Sequence, residues 1–385
     1  MNPFSDEMRR DPYPTYATFR RASPVMQLPG APIWMVLDYD GVRRALHDAE
    51  CFSSNVSPTR GLRFEWLLFM DPPRHTHLRA IVSKAFTPRS VAALEPRIRA
   101  ISGELLDAIA AKGGACDLVR DFATPLPMRV IAEMLGAPPS DAARLTRWSE
   151  AIIDLGLTIM GTPEESAAAS AAFLAADAEM AAWLDALAPG ADDLIARLRA
   201  AEVDGDRLRP DEILRFVQLL LAAGTETTTN LIDNAVLALL EHPAELARLR
   251  ADPALVPSAI EEVLRYRSPA QAMFRATTRD VELGGRTIPA GAFVLAMIGA
   301  ANRDPAAFAE PDRFDVARDP NPHLAFGHGM HYCLGAPLSR LEGRIALADL
   351  LARFGRIARA DDAPWPPRRA FHVHGPTRLP MQLDQ

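Results

Sequence analysis

The stretch Phe326-Gly327-His328-Gly329-Met330-His331-Tyr332-Cys333-Leu334-Gly335 sets one cysteine in a loop punctuated by glycines. Behind it, Ala336-Pro337-Leu338-Ser339-Arg340-Leu341-Glu342-Gly343-Arg344-Ile345-Ala346-Leu347 reads as a helix with Pro337 in its first turn. A cysteine just before a helix N-terminus faces unpaired backbone N–H groups and the positive end of the dipole. Both favour thiolate over thiol. Gly329 and Gly335 let the backbone turn tightly and approach a flat ligand without a clashing Cβ. Phe326 offers an apolar lid over the sulfur. A thiolate so presented can act as nucleophile, zinc ligand or haem ligand. A nucleophile needs a base, and His331 is better placed as a hydrogen-bond donor toward a ligand. Zinc needs further Cys or His at paired spacing, whereas Cys51 and Cys116 are isolated. Haem iron needs one axial thiolate.

Upstream, residues 210–241 give the longest helical pattern, about 45 Å at 1.5 Å per residue. Pro210 suits its first turn, Asp211 and Glu212 complement the dipole, and His242-Pro243 ends it. In its middle lies Ala223-Gly224-Thr225-Glu226-Thr227-Thr228-Thr229-Asn230, and glycine followed by a β-branched run is poor helix material. The Thr227 hydroxyl can bond the Ala223 carbonyl and loosen the helix locally. Such a breach of local propensity points to function. Asp71-Pro72-Pro73-Arg74-His75-Thr76-His77-Leu78-Arg79 opens another helix with Asp71 available as its cap. His75 and Arg79 share one face of it and suit an anionic group. Glu262 and Arg265 are three apart and can pair across a helix turn.

Together these segments resemble the cytochrome P-450 family. The Cys333 loop matches its haem-binding signature Phe-x-x-Gly-x-x-x-Cys-x-Gly, and residues 223–228 match its oxygen-binding motif Ala/Gly-Gly-x-Asp/Glu-Thr-Thr. The resemblance covers most of the chain. It implies a mainly α fold with smaller β regions, formed by a single domain over 1–385, with haem b between the long helix and the helix after Cys333. It implies a haem-thiolate monooxygenase in which Cys333 binds iron and His75, Arg79, Arg275 and His331 neutralise the propionates. Ala223, Phe326, Gly327 and Gly335 would then also lie against the haem. Gly224 would leave room for bound oxygen, and Glu226 and Thr227 would deliver protons. Glu262 and Arg265 would form a buried network with Arg313.

A largely apolar pocket would be lined by Phe64, Trp66, Leu67, Leu220, Ala223, Ala272, Val373 and His374. The family relationship also implies O2 as co-substrate, with electrons from NAD(P)H through a ferredoxin reductase and an iron–sulfur ferredoxin. Arg74, His77 and Lys84 fall on the face opposite His75 and Arg79. With Arg340 and Arg344 they would offer an acidic ferredoxin a basic dock. Bacterial relatives often carry Arg where His77 stands, and histidine as a residue type loses its charge across neutral pH. Two rival readings are a peroxygenase driven by hydrogen peroxide and a haem-thiolate binding or sensing protein. The Glu226–Thr227 pair argues against both.

The 385 residues are 49% hydrophobic, enough to bury a large core and a cofactor, and no linker divides them. Net charge −7 carries no nucleic-acid signature. Three scattered cysteines suit a reducing cytoplasm rather than a disulfide scaffold. The N-terminus shows no signal peptide and no uncharged apolar run reaches membrane-spanning length, so a soluble, cytoplasmic monomer of bacterial type is expected. Residues 25–28 and 33–37 read as paired strands, 281–283 and 287–289 as a hairpin about Gly284-Gly285, and 370–381 as a last hairpin. The apolar groups of the 53–69 loop are expected to cover something.

Overall fold

The computed structural model describes residues 5–385 except 29, 57–64, 158–162, 188–189 and 191–192. Phe64 therefore lies outside the described residues. The helices that frame the site are α1 (Arg74–Ala85), α2 (Pro125–Met134), α3 (Ala142–Leu157), α4 (Pro163–Ala186), α5 (Pro210–Glu241), α6 (Val256–Tyr266) and α7 (Ala336–Arg353). The mainly helical expectation holds.

Helix α5 runs through the interior. Arg209 N–H donates to Glu212 Oε2 (2.9 Å), closing its first turn, and His242 ends it. Leu221, Ile232 and Val236 pack in one cluster with Leu126 and Ile131 of α2 and Ile345 and Leu350 of α7. Leu231, Ala235 and Leu239 pack in another with Ile260, Val263 and Leu264 of α6. Gly343 makes the α7 approach possible, because a Cβ there would stand 3.0 Å from Leu231 Cδ2 and 3.4 Å from Ile260 Cδ1.

Five strands form the main sheet: β1 (Val25–Gln27), β2 (Ile33–Val36), β3 (Phe52–Ser53), β4 (Met273–Thr277) and β5 (Phe293–Ala296), in the order β1-β2-β5-β4-β3. β1 and β2 pair antiparallel as expected, whereas β2 and β5 pair in parallel, Ile33 opposite Phe293. The 281–288 hairpin also forms, with Gly284 and Gly285 both at positive φ (56° and 73°). The last hairpin does not. Pro380–Asp384 pairs instead with Arg356–Arg359 and Ala115–Asp117, while Val373 makes a single bridge to Ala270.

Among the described residues one helix, the Glu164–Ala186 part of α4, is long and apolar enough by length and composition to cross a membrane (mean hydropathy 1.2). Its apolarity is mostly alanine, five carboxylates (Glu164, Glu165, Asp177, Glu179 and Asp185) punctuate it, and it buries Met180, Trp183 and Leu184 in the main core.

Candidate active site around Cys333

Gly327 and Gly329 hold positive φ (75° and 76°) and shape the loop before Cys333, whereas Gly335 does not (φ −79°). A Cβ on Gly329 would reach 3.0 Å from His47 Cα, so this glycine seats the loop on the neighbouring helix. Cys333 N–H donates to the Phe326 carbonyl (2.9 Å). The Phe326 ring lies under the Arg340 guanidinium (4.4 Å), so its identifiable contact with Cys333 is through backbone rather than as a lid.

The Cys333 side chain keeps accessible surface, yet protein surrounds it closely enough for burial to raise its pKa. Surface accessible that deep belongs to an internal cleft. The N–H groups of Gly335 and Ala336 and the charge of Arg79 oppose the rise without cancelling it. Desolvation therefore outweighs the pull of the helix terminus toward thiolate.

Helix α5 meets α7 here through Thr228 Oγ1 and Ser339 Oγ (3.4 Å). Ala223 is exposed in the middle of an otherwise well-buried helix, and Thr227 Oγ1 donates to its carbonyl (2.6 Å), the expected back-bond. Glu226 is mostly buried, which raises its pKa; Arg368 opposes the shift and Asp154 adds to it. At Gly224 a Cβ would lie 2.9 Å from Ile131 Cδ1, so α5 packs closely on α2 at this glycine.

Basic groups converge beside Cys333. The rings of His75 and His331 lie 4.0 Å apart. Both nitrogens of His75 and Nε2 of His331 are buried without a hydrogen-bond partner. Burial, with Arg79 beside it, lowers the His75 pKa. Burial and the neighbouring His75, Arg275 and Arg79 push His331 down to about 3. Arg275 is 3% exposed, donates to the Phe274 carbonyl (2.7 Å), and is pushed down to about 10 by burial. No described carboxylate lies within ion-pair distance of it. Arg79 donates to the Tyr332 carbonyl (2.7 Å) and so ties α1 to the cysteine loop. One buried and one half-buried guanidinium, with three imidazole nitrogens left open and no carboxylate paired to them among the described residues, fit the paired carboxylates of a haem. Asp71, expected as the α1 cap, instead accepts from Ser54 N (2.8 Å) and the Ser53 hydroxyl, while Pro73 starts the helix uncapped.

The Glu262–Arg265 pair is fully buried, with Nε donating to Oε2 at 2.8 Å. Its third member is Arg318, whose Nε donates to Glu262 Oε1 (3.1 Å). Arg313 gives only its carbonyl to Arg265 (3.0 Å); its own side chain is 55% exposed and pairs with Glu310. The expected third member was Arg313, and Arg318, five residues further along the same loop, takes that place instead.

The expected pocket wall divides. Trp66 and Leu67 are buried on the main core, Trp66 Nε1 donating to Gln218 of α5 (3.2 Å), and Leu220 packs partly buried beside them. Ala272 instead packs among Tyr13, Tyr16 and Leu295 on the N-terminal side of the sheet. Val373 and His374 line a separate apolar cavity of about 70 Å³ with Met8, Tyr16 and Met297, and no residue of α5 lines it. His374 is 2% exposed and engages the Arg10 carbonyl through Nε2 (3.1 Å).

The outward basic face is largely neutralised. Arg74 pairs with Glu212, His77 with Asp206 (2.7 Å), and Arg340 with Glu261 (2.7 Å); Lys84 donates to the Glu202 carbonyl (2.6 Å). Among the described residues Arg344 donates only to the Arg340 carbonyl (3.0 Å), so Lys84 and Arg344 keep their charge while the other three cations face carboxylates.

A sequence model described as Cytochrome P-450 matches residues 184–376. The cytochrome P-450 monooxygenase PikC of Streptomyces venezuelae is 42% identical over 365 residues, 90% of this chain and 85% of its own. The vitamin D(3) 25-hydroxylase of Pseudonocardia autotrophica is 38% identical, over 99% of this chain and 96% of its own. The structure of CYP109Q5 from Chondromyces apiculatus superposes with a TM-score of 0.88 at 42% identity, covering 99% of this chain and 97% of that one. With identity of this extent and the cysteine loop, the α5 motif and the anion-seeking basic cluster in one place, the chain belongs to the cytochrome P-450 family of monooxygenases.

Proposed function

We propose that the protein is a soluble, cytoplasmic haem b monooxygenase, one domain over 1–385. It would insert one oxygen atom from O2 into a small, largely apolar organic substrate. Electrons would come from NAD(P)H through a ferredoxin reductase and a ferredoxin. The observation that carries this reading is the cluster of buried His75 and Arg275 with half-buried Arg79 and His331, none paired with a carboxylate among the described residues, beside a cysteine that opens into an internal cleft. Cys333 would ligate the iron, and the four basic residues would receive the propionates. Haem with an axial thiolate supplies the O2 chemistry, since thiolate donation favours O–O cleavage.

The remaining work falls to the chain. Thr227 holds its hydroxyl on α5 through the Ala223 carbonyl, where it can pass a proton into the cleft. Glu226, kept protonated more readily by burial, is a proton source one residue away. Trp66 and Leu67 cover α5 with apolar surface, which keeps bulk water from competing for those protons. Purified protein, reduced under carbon monoxide, should show the red-shifted Soret band of thiolate ligation. A panel of apolar compounds, screened by spin-state shift and then by product formation with ferredoxin partners, tests the activity. Absence of the band, or O2 consumption with no oxygenated product across the panel, counts against it.

A further inference from the structure

Beyond Thr227, helix α5 keeps a polar row inside the core. Glu226, Asn230 and Asp233 are spaced i, i+4 and i+7, so they share one face. Asn230 and Asp233 are both 0% exposed. Asn230 Nδ2 and both Asp233 carboxyl oxygens lack partners among the described residues. A donor and two acceptors left open three residues apart in a core is costly unless water bridges them. Half-buried Arg368 lies over this row from the C-terminal segment and donates Nε to Asn230 Oδ1 (3.2 Å). Arg368 N–H donates to the Gly375 carbonyl (3.0 Å), and a Cβ on Gly375 would stand 2.4 Å from Asn230 Oδ1. That segment is shaped to close on Asn230.

Three charged groups face these acids from other elements. Arg368 faces both, Asp154 of α3 faces Glu226, and Asp117 of the strand Ala115–Asp117 faces Asp233. Burial raises Asp233 well above the usual carboxylate range, and Arg368 pulls against it.

We propose that Asp233 is a buried proton reservoir for Glu226, with Asn230 holding the bridging water and Arg368 as the positioning residue at the solvent end. The inference rests on the monooxygenase reading above. When Glu226 releases its proton toward Thr227 it becomes a carboxylate. It regains a proton from the Asp233 carboxyl through the water held by Asn230. The Asp233 carboxylate, facing the Arg368 charge, is then reprotonated from solvent. One solvent proton moves inward per cycle, and no electron moves.

Asp233→Asn, Arg368→Gln and Arg368→Lys in the haem-loaded protein test this. Asparagine keeps the shape and neutrality of a protonated Asp233 but has no proton to give. The infrared spectrum of the wild type at neutral pH should contain a protonated-carboxyl C=O band that Asp233→Asn lacks. That variant should also lose roughly tenfold or more in kcat at unchanged KM. Removing the Arg368 charge raises both carboxyl pKa values. Arg368→Gln should therefore move the alkaline limb of the kcat–pH profile upward by roughly one unit, because both acids work in their protonated form, and Arg368→Lys should restore it. An infrared spectrum unchanged in Asp233→Asn, wild-type turnover in that variant, or an unmoved pH profile in Arg368→Gln each overturns the proposal. A wild type with no oxygenase turnover refutes the function proposed above instead, and the infrared band still decides whether Asp233 carries the proton.

Discussion

Replacing Arg318 and Arg313 separately by alanine asks which arginine completes the Glu262–Arg265 network. Arg318 is 12% exposed, and besides Glu262 it donates to the carbonyls of Ala309 (2.8 Å), Glu310 (3.2 Å) and Arg313 (2.9 Å). Its loss strips a cation from a carboxylate that is itself fully buried, and such truncations cost about 3–5 kcal/mol. Arg265 remains on Glu262, and Asp315 N–H (3.0 Å) and Asn321 (3.2 Å) still donate to it, which places the expected cost near the low end, about 3 kcal/mol. Arg313 pairs with Glu310 at the surface and should cost under ~1 kcal/mol. An unfolding entropy of about 2.1 cal/mol/K per residue, over 385 residues, gives about 0.8 kcal/mol/K. Arg318→Ala should then lower Tm by about 4 °C, and Arg313→Ala by about 1 °C or less. Calorimetry or circular dichroism melts of the haem-loaded variants measure both. Equal shifts, or a larger one for Arg313→Ala, would refute the network as drawn.

Cys333→Ser should abolish the red-shifted carbon monoxide band, while Cys51→Ser and Cys116→Ser retain it; any other pattern relocates the iron ligand. Thr227→Ala should bind substrate normally but divert reducing equivalents to hydrogen peroxide, and unchanged product per NAD(P)H would deny its proton-delivery role. Gly224→Ala should destabilise by roughly 1–3 kcal/mol through overpacking on Ile131. Adding Ile131→Val removes the opposing Cδ1 and should restore stability; no rescue in denaturant melts would show that the glycine serves something else.

The parts of the site legible in the sequence are those whose chemistry is local. The Cys333 loop announces itself within ten residues, and Thr227 finds the Ala223 carbonyl by helical spacing alone. His75 and Arg79 were readable as one helix face, though not that His331 would lie 4.0 Å from His75. Contacts made by distant segments were not readable. Nothing near Arg318 marks it over Arg313, because the choice depends on where a coil passes relative to α6. Ala272 and His374 were misplaced because bridges between irregular segments do not declare which side a residue faces. The basic face failed for a related reason: Asp206 and Glu212, which neutralise His77 and Arg74, come from far along the chain.

The parallel pairing of β2 with β5 has a consequence for how the protein is made. Arg275, an arm of the anion-seeking cluster, stands on β4, and β4 is held by β5, which is itself held by β2 from the start of the chain. An emerging polypeptide cannot complete this sheet until the segment carrying Phe293–Ala296 has left the ribosome. Pairing between such remote segments closes a large loop and is slow. Strands β1 and β2 wait meanwhile with an unpaired apolar edge, open to association with other chains. Overproduction should therefore fail first through this edge, and slower synthesis should help more than added haem. The N-terminal strands are as necessary to the basic cluster as its own residues are.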